Sequence, residues 1–496
     1  MIKIINTNRR AFKTVSLFLL LGMFAALISC NTAGNAPAGD DANNPAANPA
    51  ATEPVTSIDD VYPYPEHDFK SAVINVLARN DGYGGQDFED ISVGEENGEV
   101  LNDAVYRRTL TVEDKYNVKI SVVYNKDPVG ITAKNVKADD DAYQIVQEKL
   151  IYLQQTLSTQ NYLMDFNKID GVTLEAPWYN QNIIKDLSLN KKVTALGGDM
   201  TISDKSGVEV TMFNKQMVAD YALDDMYQLV RDGKWTLDKF HELMKATSKD
   251  LNGDGKMTLG EDQWGLMAEH LISWVLLVSS GNRLADLDAD GIPYITANTP
   301  KFLSDFDKIM DIMYDKENRT MHPTSVEAFT EIFMDNRNFL QINVMTTLFM
   351  MRGMENDFGI IPPPKQNAQQ EKYISTMSPW VSRFIAVPVS CQNTGTVGAV
   401  IDALSRESTN TVMPAYYNNL INNKIARDEE SIEMLKMIFD SVVYDIGSIY
   451  NWGNIWLMYQ GFFESGSRDY VSFFEKNSGA IQKALDATIE QMLQYD

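Results

Sequence analysis

Two extended apolar segments flank a helical one between residues 72 and 123, and that order most constrains the fold. Ala72-Val73-Ile74-Asn75-Val76-Leu77-Ala78 reads as a buried strand. Leu101 to Tyr116 carries apolar residues at helical spacing (Leu101, Val105, Leu110, Val112), and Val118-Lys119-Ile120-Ser121-Val122-Val123 reads as a second strand. Parallel neighbours need a crossover, usually a helix, so the alternation predicts an α/β lobe around a largely parallel sheet. Tyr143 to Gln147 is a third short strand candidate, with a helix expected from about Glu148. The chain has 496 residues, beyond the size at which one core stops growing, so two lobes are expected.

Further along, helical spacing runs through Tyr221 to Val230 and Leu237 to Ala246, with Thr236 placed as an N-cap. It continues through Phe302 to Tyr314 and Val326 to Met334. Asp357-Phe358-Gly359-Ile360-Ile361 is a strand stopped by Pro362-Pro363-Pro364, a stiff triplet suited to a connection between lobes. After Ile385-Ala386-Val387-Pro388 the chain reads as mostly helical, most clearly at Ile432 to Phe439 and Ile481 to Leu493.

The N-terminus specifies export. Lys3, Arg9, Arg10 and Lys13 precede an apolar run from Val15 to Ala26, which ends in Leu27-Ile28-Ser29-Cys30. Those four residues read as a lipobox that makes Cys30 the lipidated N-terminus, with 1–29 the signal peptide. The run falls short of the roughly 20 apolar residues of a permanent span. Asn31 to Asp59 is poor in large apolar residues and reads as a flexible tether. The protein is therefore expected on the outer face of the cytoplasmic membrane, held by acyl chains. Of 43 basic residues four precede Cys30, leaving 39 against 68 acidic ones and a formal charge of −29. That excess opposes binding to nucleic acid, anionic lipid headgroups or polyanionic substrates. Lipidation of Cys30 leaves Cys391 without a partner, so Cys391 is expected to be a buried structural thiol.

Asp250-Leu251-Asn252-Gly253-Asp254-Gly255-Lys256-Met257-Thr258-Leu259-Gly260-Glu261 follows the twelve-residue calcium loop. Asp250, Asn252 and Asp254 offer side-chain oxygens, Gly255 permits the sharp turn, Lys256 offers its carbonyl, Thr258 stands at position nine and Glu261 can close the shell. One structural Ca2+ site is expected. Asp286-Leu287-Asp288-Ala289-Asp290-Gly291 starts similarly, but Ala297 at the twelfth position cannot close a shell, so a hairpin turn is expected there.

No nucleotide loop, zinc spacing or Ser/His/Asp signature is present. Several aromatic residues stand in polar contexts, among them Tyr83, Trp178-Tyr179, Trp264, Trp274, Trp380 and Tyr450-Asn451-Trp452. Flat aromatic faces stack on the C–H faces of sugar rings, and the set points to a carbohydrate site.

Particular segments resemble the extracellular solute-binding lipoproteins of carbohydrate ABC importers. They are Leu101-Asn102-Asp103-Ala104-Val105-Tyr106-Arg107-Arg108, Pro177-Trp178-Tyr179-Asn180-Gln181, Gly233-Lys234-Trp235-Thr236 and the calcium loop. The run from Arg352 through Phe358-Gly359-Ile360-Ile361-Pro362, Pro414-Ala415-Tyr416-Tyr417, Arg427-Asp428-Glu429-Glu430-Ser431 and Tyr444 through Gly453 complete the set. The resemblance implies an α/β type II periplasmic-binding-protein fold, with two lobes joined by a hinge, a ligand cleft between them and a helix-rich C-terminal part. Lobe 1 would take 60–203 and 367–425, and lobe 2 would take 204–366 and 426–496. It also implies a monomeric, non-enzymatic subunit that captures a sugar or oligosaccharide and delivers it to ABC permease subunits.

Ligand contacts are expected from Trp178, Tyr179, Trp264, Trp274, Trp380 and Trp452, with Asp81, Asn282, Arg283 and Asn451 as polar candidates; Trp235 is expected to be structural. The alternatives are a surface-anchored glycoside hydrolase, which needs a carboxylate pair flanking the scissile bond, and a carbohydrate-adhesion protein.

Overall fold

Eleven strands are formed among the described residues, and they build two larger sheets and a hairpin. The computed structural model describes residues 61–62, 66–80, 89–320 and 326–493. The signal segment, Cys30, the tether, Asp81 and Tyr83 lie outside them. The strands are β1 (Ala72–Arg79), β2 (Val118–Asn125), β3 (Ile145–Lys149), β4 (Glu209–Asn214), β5 (Trp264–Met267) and β6 (Ala285–Leu287). They continue as β7 (Pro293–Ile295), β8 (Arg319–Thr320), β9 (Asn338–Val344), β10 (Phe358–Ile361) and β11 (Arg383–Ala386).

The first sheet has the order β11-β3-β1-β2. Strands β1, β2 and β3 are parallel, as the opening alternation predicts, and β11 returns antiparallel to β3. The second sheet has the order β10-β4-β9-β5-β8, with β9, β5 and β8 parallel and β4 antiparallel to β9 and β10. Each sheet is covered by helices. Val100–Tyr116 and Thr394–Asn410 share a core with Ile74, Val76 and Ile385 of the first. Leu237–Thr247, Ile272–Ser279 and Pro300–Met313 share one with Leu266, Leu340 and Ile342 of the second. A further core takes Val146 and Phe384 from the first sheet together with Val210, Met212 and Ile360 from the second.

The chain passes between the sheets beside three adjacent segments. Val208 bridges Met377 antiparallel, and Ser375 bridges Val442 in parallel. Backbone bonds run from Glu209 N to Thr376 O (3.0 Å), Ser378 N to Gly207 O (2.7 Å) and Val443 N to Ser375 O (2.9 Å). The triple proline is held elsewhere. Trp235, fully buried, donates its Nε1 to Pro362 O (2.9 Å), and Lys365 pairs with Thr236, so that segment stays with the second sheet.

Thr236 caps the Leu237–Thr247 helix, accepting from Lys239 N at 3.3 Å. The expected turn at Asp290-Gly291 joins β6 to β7. Five strands, β4, β5, β8, β9 and β11, were not legible. Strand β4 is buried at every position and shows no alternation to distinguish it; β5 is likewise buried throughout, and β9 at all but one position. Cys391 is buried and free, and burial pushes its thiol up to about 11, away from nucleophilic character. From Thr394 onward the described chain is helical in long stretches, ending with Tyr470–Leu493. Among the described residues no helix is long and apolar enough to cross a membrane.

Candidate functional site

In open α/β sheets ligands bind beyond the carboxyl ends of the parallel strands. In the first sheet β1, β2 and β3 end there at Arg79, Asn125 and Lys149, and antiparallel β11 begins there at Arg383. In the second, β9, β5 and β8 end at Val344, Met267 and Thr320, and antiparallel β4 begins at Glu209. Both edges adjoin the crossings, because β4 starts one residue after Val208 and β11 starts shortly after Ser378.

On the first edge Arg79 is a hub. Its guanidinium grips the Glu148 carboxylate through two nitrogens, with Nη2 to Oε2 at 2.9 Å, and donates through Nη1 to Lys126 O at 2.8 Å. The same guanidinium lies over the Tyr152 ring, 5.2 Å from its centroid. Tyr152 meets Trp380 edge-on, with centroids 5.9 Å apart and planes at 90°. Ile151 N donates to Pro379 O (3.2 Å) and Leu150 N to Ser382 O (3.2 Å), so backbone bonds seat the Trp380 segment against the end of β3. Trp380 is 45% exposed, and this fixed, half-open indole is the part of the edge suited to stacking on a sugar ring.

On the second edge Glu209 is buried, and its Oε2 has no hydrogen-bond partner. Burial, with Glu269 nearby, pushes its carboxyl up to about 8, so it stands neutral at pH 7. His270, beside Glu269, stacks on Tyr314 at 5.5 Å, and burial holds its ring below the ordinary histidine value.

The other aromatic candidates are packed inside. Trp178 (1% exposed) and Tyr179 (3%) both donate to Asp402 Oδ1, at 3.2 and 3.0 Å, and Trp178 O crowds Gly198 too closely for any Cβ there. Trp264 lies in β5, while Trp274 sits among Trp456 and Tyr459 at 5.3 and 5.6 Å. Trp452 stacks on Tyr450 (5.1 Å, 10°) and donates to Thr488 Oγ1 at 2.9 Å. Burying a Trp removes about 200 Å² from water, a gross gain of about 5 kcal/mol, so turning any of these rings outward would be costly.

The polar candidates hold backbone and neighbours together. Asn282 donates to Asp305 Oδ2 (2.8 Å), Arg283 pairs with Asp186 (3.1 Å), and Asn451, left-handed at φ 52, accepts from Trp456 N. Arg79, Glu148, Tyr152 and Glu209 were missed by sequence reasoning. Only their positions at or just beyond strand ends could have found them, Tyr152 lying in the helical turn after β3.

The 250–261 loop is exposed and carries the internal bonds of a metal loop. Asp250 accepts from Gly253 N (2.7 Å) and Gly255 N (2.8 Å), Asn252 from Asp254 N (2.9 Å), and Asp254 from Lys256 N (2.8 Å). Asn252 Nδ2 reaches Glu261 Oε2 at 3.2 Å, joining position three to position twelve. The scaffold fits a hard cation. Its carboxylates are not gathered, since no group of three or more His, Cys, Asp or Glu among the described residues is placed to hold a metal.

No protein-family model and no curated protein matches the chain. Solved structures do match. The sugar-binding protein MalE from the phytopathogen Xanthomonas citri is 12% identical over 86% of this chain and 100% of that one, at a TM-score of 0.57. UspC from M. tuberculosis is 11% identical over 83% and 99%, at 0.53. A cyclo/maltodextrin-binding protein complexed with maltotetraose is 11% identical over 85% and 97%, at 0.51. At these identities the likeness shows the fold, and it is the type II periplasmic-binding-protein fold that the resemblance implies.

Proposed function

We propose that this chain is the extracytoplasmic solute-binding subunit of an ABC importer and that it captures a sugar or oligosaccharide. The observation that carries the reading is the meeting of two sheet edges at a triple crossing, with Trp380 half-exposed beside the Arg79–Glu148–Tyr152 group. A ligand touching both edges favours the arrangement that encloses it, and hinge closure presents the result to a permease. Trp380 stacks on a ring of the sugar beside the end of β3. No covalent step is required. The matched structures include a sugar-binding protein and a cyclo/maltodextrin-binding protein complexed with maltotetraose, which supports a carbohydrate as the ligand here.

Two further elements belong to this proposal. Cys30 carries the lipid that keeps the exported, monomeric protein at the outer face of the cytoplasmic membrane, within reach of the permease. A Ca2+ ion would occupy the 250–261 loop as a structural clip by drawing together Asp250, Asn252, Asp254, the Lys256 carbonyl and Glu261, with Thr258 beside it. Calorimetric titration with a panel of mono- and oligosaccharides tests the main reading. Saturable binding of at least one sugar, with no release of reducing ends, supports it; hydrolysis of the panel, or binding of none, overturns it.

A further inference from the structure

Between the Ile272–Ser279 and Pro300–Met313 helices, both packed in the second sheet's core, the chain leaves that core as the β6–β7 hairpin. The base is tied down at its origin, where Leu284 is fully buried and Thr296 N donates to Leu284 O at 2.9 Å. The tip lands on the other lobe. Asn190 N, just after the Gln181–Leu187 helix that packs on the first sheet, donates to Gly291 O at 2.8 Å. Gly291 has φ +76, and an added Cβ would lie 2.8 Å from both Lys191 N and Ser188 O, so the tip is seated without slack.

A buried anchor supports this contact. Arg283, at the hairpin's base, donates through Nη2 to both oxygens of Asp186 (3.2 and 3.1 Å), a residue of the Gln181–Leu187 helix. Asp186 Oδ2 also accepts from Tyr444 N (3.0 Å), next to the third crossing. Asp445 completes the tie, its Oδ1 accepting from Leu284 N (2.8 Å) and Ala285 N (3.3 Å). Side-chain exposure separates the strong contacts from the weak. Lys191 and Asp290 also pair, at 3.1 Å, but are 65% and 81% exposed and contribute little. Arg283 and Asp186 are 18% and 4% exposed, where removing one partner strands the other's charge.

We infer that the 285–295 hairpin is a clasp between the lobes, with Arg283 and Asp186 as positioning residues for hinge motion. Rotation about the crossings breaks the Arg283–Asp186 pair and the Asn190–Gly291 bond, or pulls the hairpin from its own core. The clasp therefore limits how far the lobes separate before any ligand arrives. Its role in capture rests on the hinge-closure reading above; its restraint on lobe motion does not.

The test uses the full chain without ligand, so a failure of sugar binding leaves it intact. Gly291→Val lifts the tip from Ser188 and Lys191, and the Arg283→Met/Asp186→Asn double variant removes the anchor without leaving Asp186 charged and unpaired, although buried Asp445 loses the nearby cation. Small-angle scattering and amide hydrogen exchange are read on variants that retain cooperative thermal unfolding. The clasp predicts a larger radius of gyration and at least tenfold faster exchange at Glu209, Ser375 and Val443, with β1 and β5 amides unchanged. Unchanged hinge exchange and radius in folded variants overturn it. If the double variant does not fold, Gly291→Val, in the turn, decides the matter alone.

Discussion

Trp380 stands perpendicular to Tyr152 at 5.9 Å, while Arg79 covers the Tyr152 ring from 5.2 Å. The tyrosine is thereby fixed, and it fixes the edge of the indole while leaving 45% of Trp380 exposed. Preorganised aromatic surface of this kind binds without first being ordered. Trp380→Ala is expected to weaken sugar binding about tenfold, from about 1–1.5 kcal/mol of stacking, with little change in melting temperature. Parallel calorimetry and thermal melts separate the two. Loss of stability with unaltered affinity would assign Trp380 to packing.

Glu209 makes stability depend on pH. Its folded carboxyl is pushed from an ordinary 4.5 to about 8, first by burial and then by Glu269, so the folded state holds a proton that the unfolded state releases. That contribution is complete below about 4.5 and is lost as pH rises to about 8, at up to about 1.4 kcal/mol per pH unit. Denaturant unfolding across this window is expected to show a shallower pH slope for Glu209→Gln than for the parent. Equal slopes would mean that Glu209 is ionised when folded.

Asp402 shows how the Pro177–Gln181 segment is held. Its Oδ1 accepts from Thr173 N (3.0 Å), Trp178 Nε1 (3.2 Å) and Tyr179 OH (3.0 Å). Asp402→Ala leaves these donors unpaired and is expected to destabilise the protein by about 3 kcal/mol with sugar affinity retained. Chemical denaturation checks the first part and calorimetry the second.

The calcium loop gives a prediction independent of any sugar. Calcium at 100 times its dissociation constant should stabilise the chain by about 2.7 kcal/mol, and EDTA should reverse this. Asp250→Ala is expected to remove the response, because Asp250 stands at the loop's first position and accepts from Gly253 N and Gly255 N. A melting temperature indifferent to calcium and EDTA would count against the ion.

Sequence reading and structure agree where local chemistry decides and part where burial does. The parallel β1 and β2, the Thr236 cap and the Asp290-Gly291 turn follow from periodicity and side-chain bonding within a few residues. The strand Glu209–Asn214 is buried throughout, so its pattern carries no period. Aromatic character alone could not separate Trp380 from Trp178 or Trp274, since exposure depends on the partners that folding supplies. Arg283 stood out only as a polar candidate for ligand contact, and its partner Asp186 lies 97 residues away.

Small-angle scattering of the full chain, alone and saturated with a sugar that calorimetry shows to bind, tests capture by closure most directly. The account predicts a smaller radius of gyration in the complex, as the Arg79–Trp380 and Glu209 edges approach across the crossings. A radius unchanged on saturation would contradict it.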